Sequence, residues 1–153
     1  MDKKHKRLAR SLCLQILFAN SFLSNSFGEL LDNFFKNNDT DLGKTAFTDE
    51  QIAYASKLFK STLKNEEYVD GMIEKKLVNW EMSRLATMDR MILRMAISEM
   101  LFIDEVPPKV SIAEAVEIAK DFSSEDSSGF VNGIMDAIYN EEVDSKKISK
   151  KEN

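Results

Sequence analysis

Residues 83–102, SRLATMDRMILRMAISEMLF, decide the fold. At helical spacing, Leu85, Met88, Ile92, Met95, Ala96 and the following Ile103 make one apolar stripe, and Met91, Leu93, Ile97, Met100 and Leu101 fill most of the remaining surface. Only Thr87, Arg90, Arg94 and Ser98 are left as a narrow polar strip. A helix so apolar on nearly every side has to be surrounded by other helices. The segment is therefore predicted to be the central helix of an all-α protein. Val106-Pro107-Pro108 stops it, because proline has no amide N–H to continue the ladder.

Working towards the C-terminus, Ser111 and Glu114 have the spacing of a capping box. The helix they would open carries Ile112, Ala115, Val116, Ala119 and Phe122 on one face. A serine-rich turn, Ser123 to Ser128, leads to a last helix in which Phe130, Ile134 and Ile138 align and Gly133 would let a neighbour approach closely. The lysine-rich tail, 144–153, has too little apolar content to fold alone and is expected to be disordered.

Working towards the N-terminus, Asn65, Glu66 and Glu67 are predicted to start a helix ending near residue 78, with Tyr68, Met72, Ile73 and Leu77 inward. Thr48 and Gln51 form a second capping-box pattern, opening a helix to about residue 63. A short helix over 27–36 runs into a polar loop through Gly43. The first helix, 4–24, places Leu8, Ala9, Leu12, Cys13, Ile16 and Leu17 on a core stripe. Its opposite face mixes Arg7, Arg10, Ser11, Leu14, Gln15, Phe18 and Phe22, cations beside large apolar groups that something should cover.

The chain has 153 residues, enough for one sizeable core, so a single domain over 1–153 is expected. Five glycines and two prolines leave little material for a turn-rich β architecture. One cysteine, Cys13, and one histidine, His5, supply neither an intramolecular disulfide nor the usual zinc ligands. No P-loop, dinucleotide glycine pattern or nucleophile elbow occurs, so no catalytic residue, cofactor or metal is expected and the chain reads as a non-enzyme. Without a signal-peptide pattern or a long apolar run, it is expected in the cytoplasm and not at a membrane.

The net charge of −5 argues at first against nucleic acid. Its distribution argues the other way: residues 1 to 10 hold Lys3, Lys4, Lys6, Arg7 and Arg10 against Asp2 alone, a net of +4, which leaves −9 for the remainder. A basic N-terminal arm, 1–7, leading into a helix face with Leu14 and Phe18 is a candidate RNA contact. Phe18 is an anchor for a partner protein, an ordinary exposed aromatic or a cover for a loop of its own chain. Asp89, in apolar surroundings, either pairs internally with an arginine or meets a partner's cation. The turn around Glu125, Asp126 and Ser127 caps a helix, and its acids can also accept from base amino groups.

In order and spacing these pieces resemble the NusB transcription-antitermination family. The signals are Arg7-Leu8-Ala9-Arg10 with Gln15 and Phe18, then Met88-Asp89-Arg90-Met91-Ile92-Leu93-Arg94-Met95-Ala96 with Glu99, the Val106-Pro107 break, Ile112-Ala113-Glu114-Ala115 with Ala119-Lys120, and Phe130-Val131-Asn132-Gly133. The resemblance implies an all-α, NusB-like fold of two packed three-helix bundles. It also implies binding of boxA RNA from ribosomal-operon leaders together with NusE, a small ribosomal-subunit protein, and loading of an antitermination complex on RNA polymerase. By position it assigns Lys6, Arg7 and Arg10 to RNA, along with Glu125, Asp126 and Ser127, while Lys3 and Lys4 restore charge to the same arm and are candidates with them. Phe18 and Asp89 would face NusE, with Leu14 and Phe22 beside Phe18 on the same helix face. The sequence departs from the pattern at Lys6 and Leu8, where arginine is common, at Phe18, where tyrosine is commoner, and at Gly129, where a basic residue is expected. Two other readings stand beside this one: an RNA-recognition module of the kind appended to rRNA cytosine methyltransferases, and a helical protein-interaction module without RNA. A homodimer through the outer face of the first helix is a further option.

Overall fold

The computed structural model describes residues 1–37, 47–78 and 81–144. Among these there are seven α-helices and no strand. The fold divides into two compact units, Met1–Lys60 and Ser61–Asn153. No helix of the described residues is long and apolar enough to cross a membrane.

The first unit begins with α1 (Lys3–Asn20). The basic stretch over 1–7 lies largely within this helix, whose start the Asp2 side chain caps by accepting from the His5 amide at 2.9 Å. Ala9, Leu12, Cys13, Ile16 and Leu17 are buried as the stripe requires, but Leu8 is 41% exposed and falls outside it. In α2 (Phe27–Asn37), Leu30 and Phe35 are buried. Ser26 starts that helix, its hydroxyl accepting from the Glu29 amide at 3.2 Å and donating to the Glu29 carboxylate at 3.1 Å. Thr48 and Gln51 close the predicted capping box of α3 (Asp49–Lys64) with reciprocal bonds of 2.9 and 3.1 Å. Phe59 of α3 meets Phe27 of α2 at 5.3 Å between ring centroids.

The second unit holds α4 (Glu66–Lys76), a 3-10 turn at Met82–Arg84, α5 (Thr87–Phe102), α6 (Pro108–Phe122) and α7 (Glu125–Asp144). These four α-helices and the 3-10 turn, with the last residues of α3, make up the helical part of the unit. The short α4 is joined to α5 by Arg94, which donates to both carboxylate oxygens of Asp70 at 2.8 and 2.7 Å and pairs with Glu66 at 2.8 Å. Burial alone would lower the Arg94 pKa; the Asp70 hydrogen bond and the Asp70 and Glu66 charges outweigh it, so the guanidinium is held above its ordinary value. Lys76 of α4 pairs with Glu141 of α7.

Helix α5 is covered as its composition demands, with Met91, Ile92, Leu93, Met95, Ala96, Ile97 and Met100 all buried. Each of the larger of these, the methionines, isoleucines and Leu93, contributes about 1.5–3 kcal/mol on leaving water. Even its polar strip is partly enclosed, since Ser98 is buried, and Glu99 beside it is buried as well. In α4 the inward residues are Val69, Met72 and Ile73, while Tyr68 is exposed and lies edge-on to Phe102.

Two other expectations fail. The capping box at Ser111 and Glu114 does not exist: α6 starts earlier, at Pro108, whose missing N–H and fixed φ suit a first turn. Ser111 is instead buried and donates to the Glu99 carboxylate at 2.9 Å. Gly133 is exposed, and a Cβ built there would meet nothing within 4 Å, so no close approach requires it. The loop through Gly43 lies outside the described residues beyond Asn37, as does the tail beyond Asp144, which ends α7.

Candidate nucleic-acid and protein interface

In the first unit the candidate residues lie on α1, apart from Phe22, which follows its end. The His5 amide, helped by the nearby imidazole, holds the Asp2 carboxyl below the usual carboxylate range, and the capped end keeps the first turn helical. Lys3 and Lys4 project into solvent. The Lys6 ammonium lies over the Tyr54 ring at 5.0 Å from its centroid. Arg7 is half-buried, and its carbonyl accepts the Ser11 hydroxyl at 3.1 Å.

Two members of the proposed outer face are inside the protein. Arg10 is 3% exposed and Leu14 is fully buried, so neither offers a surface to RNA or to NusE. The face is narrower than the helical wheel suggested because α1 is packed on more than its main stripe. Further along, Phe18 is half-buried and meets the edge of Phe22 at 5.1 Å between centroids, and Phe22 is 68% exposed. The exposed Leu23 follows this aromatic pair and extends the apolar surface beyond the residues read from the sequence.

In the second unit, Asp89 has neither an arginine nor an apolar cover as its main partner. Its two carboxylate oxygens accept the hydroxyls of Ser123 at 2.9 Å and Ser127 at 3.0 Å. Ser127 is fixed in turn by its amide, which donates to the Ser124 hydroxyl at 3.0 Å at the start of α7. The residue assigned to the protein partner and the turn assigned to RNA are thus one hydrogen-bonded group.

Beside this group lies a hollow of about 590 Å³, lined by Arg84, Leu85, Ala86, Asp89, Asp126, Ser127 and Phe130. Its carboxylates accept from amino or guanidinium groups, Arg84 suits a phosphate, and Phe130 offers a ring for stacking. Glu125 stands at the exposed first turn of α7 and does not line the hollow. Arg84 and Phe130 were not read as site residues. Phe130 follows Asp126 by four positions, one turn along the same helix face, which was the available signal. Arg84 had none, since it lies in a 3-10 turn brought to α7 only by the fold.

These features define an all-α protein that carries cations and aromatic side chains on one helix and a polar hollow between helix ends. The model of the NusB family matches residues 7–140. A transcription antitermination protein NusB of Clostridium novyi is 34% identical over 86% of this chain and 95% of its own length. One of Chloroherpeton thalassium is 52% identical over 60% of this chain, a match that spans 43% of that relative. Among solved structures, antitermination factors NusB and NusE in complex with double-stranded RNA include a chain that superposes with a TM-score of 0.77 at 25% identity, covering 92% of this chain and 99% of that one. The chain belongs to the NusB family.

Proposed function

We propose that the protein is a cytoplasmic transcription antitermination factor that binds boxA RNA of ribosomal-operon leaders together with NusE and helps load an antitermination complex on RNA polymerase. It works as an adaptor, not an enzyme. The observation that carries this reading is the division of α1, with solvent-facing Lys3 and Lys4 in its first turn and the half-buried Phe18 paired with the exposed Phe22 at and beyond its last. The names of the relatives and the solved NusB–NusE–RNA complex support it. Cations hold the phosphate backbone, while the Asp126 and Ser127 end of the hollow reads base edges. NusE covers the aromatic pair.

The test is a titration of boxA RNA and a scrambled RNA of equal length, with the protein alone and with NusE. The expected result is modest binding alone and tighter, sequence-selective binding in the presence of NusE. Equal affinity for the two RNAs in both conditions would leave only a helical protein-interaction module.

A further inference from the structure

We propose that Gln51 is the residue that positions the cationic first turns of α1 for RNA, acting through the His5 carbonyl. The inference rests on the RNA role assigned above to this end of α1. A glutamine in a capping box ordinarily serves its own helix at the surface. Here the side chain is 2% exposed and its amide is divided between two helices. The oxygen accepts the Thr48 amide at 2.9 Å, and the Nε2 donates to the His5 carbonyl at 3.0 Å, across 46 positions of sequence. One partner can only donate and the other only accept, so the orientation of the amide follows from them.

The neighbours of Gln51 act on the same stretch. Glu50 meets the Met1 amino group at 3.4 Å, and Tyr54, one turn along α3, lies under the Lys6 ammonium. An isolated helix end frays, because its first amides lack partners. This one is held against the start of α3 at three places, and Gln51 provides the hydrogen bond that a buried side chain makes to the α1 backbone. Lys6 is drawn over Tyr54, which leaves Lys3 and Lys4 directed outward on a turn already ordered before RNA arrives. A preordered turn binds phosphate without the entropy loss of ordering it during binding.

Two substitutions separate this role from simple stability. Gln51→Met keeps the side-chain length and removes both bonds, whereas Thr48→Val loses the hydroxyl cap of α3 and leaves the Gln51–His5 bond in place. Gln51→Met is expected to weaken boxA RNA binding roughly tenfold, the effect of about one or two immobilised side chains. Thr48→Val should lower the melting temperature and leave RNA affinity within about twofold. In a Gln51→Met background, Lys3→Ala/Lys4→Ala should cost less RNA affinity than in the parent. Amide hydrogen exchange on the unsubstituted protein gives an independent reading, with Lys6 and Arg7 expected to be protected before RNA is added. Parent-like RNA affinity of Gln51→Met, alongside weakened binding by Lys3→Ala/Lys4→Ala, would overturn the role of Gln51 and leave the RNA reading standing. Unprotected Lys6 and Arg7 amides in the free protein would overturn it equally. No effect of Lys3→Ala/Lys4→Ala would remove the RNA role of this end of α1, and this inference with it.

Discussion

Arg10 and Leu14 set the limit of what a helical wheel conveys about single residues. The wheel places both opposite the core stripe, beside Phe18 and Phe22, and that geometry is right. Which faces are covered depends on helices remote in sequence, and both side chains are buried. Phe22 and Asp89 were legible, the first as an aromatic off the stripe and the second as a carboxylate on a nearly apolar helix. The hydroxyl partners of Asp89 were not, because Ser123 and Ser127 are 34 and 38 positions away and only the fold brings them near. The burial of Arg10 has a measurable consequence. Arg10→Ala should lower folding stability by on the order of 2 kcal/mol, through lost packing of its stem and a disturbed buried guanidinium site. A stable variant whose only defect is weaker RNA binding with a flatter salt dependence would return Arg10 to the surface face.

Among the elements, the central helix was the most legible, since residues 91–97 are apolar at six of seven positions and no exposed arrangement tolerates that. Capping patterns were legible only where nothing competed for them. Thr48 and Gln51 form the box that their spacing predicts. Ser111 and Glu114 have equivalent spacing, but Pro108 initiates α6 a turn earlier and converts both into interior positions. The two assignments of Ser111 differ in their response to asparagine. At a helix N-cap Ser→Asn is nearly neutral, whereas at the buried site facing Glu99 the larger amide overpacks and should cost about 1–3 kcal/mol. Urea unfolding of Ser111→Asn distinguishes them, and a midpoint equal to that of the parent would restore Ser111 as a cap.

For the molecule as a whole, the division at Lys60 and Ser61 falls inside α3, with no proline, glycine or polar run to mark it, so composition could not reveal two units. Charge distribution was fully legible, being a property of the sequence, and it bears directly on RNA affinity. With Arg10 buried and Lys6 over Tyr54, the proposed phosphate contacts on α1 fall to the solvent-facing Lys3 and Lys4 and at most to the half-buried Arg7. Counterion release from a single strand contributes about 0.7 to the salt exponent per contact, so three contacts give a slope near −2 for log affinity against log salt. Between 50 and 200 mM salt that amounts to a roughly twentyfold loss of affinity for the protein alone. Lys3→Ala/Lys4→Ala should reduce the slope to about −0.7, Arg7 remaining. A parent slope steeper than about −4 would require a basic surface wider than α1 provides. A slope that both lysine substitutions leave unchanged would place the phosphate contacts elsewhere. An exponent this small, on a chain of net charge −5, makes electrostatics a minor part of specific affinity, which is why the tight and selective state is expected only with a second protein bound.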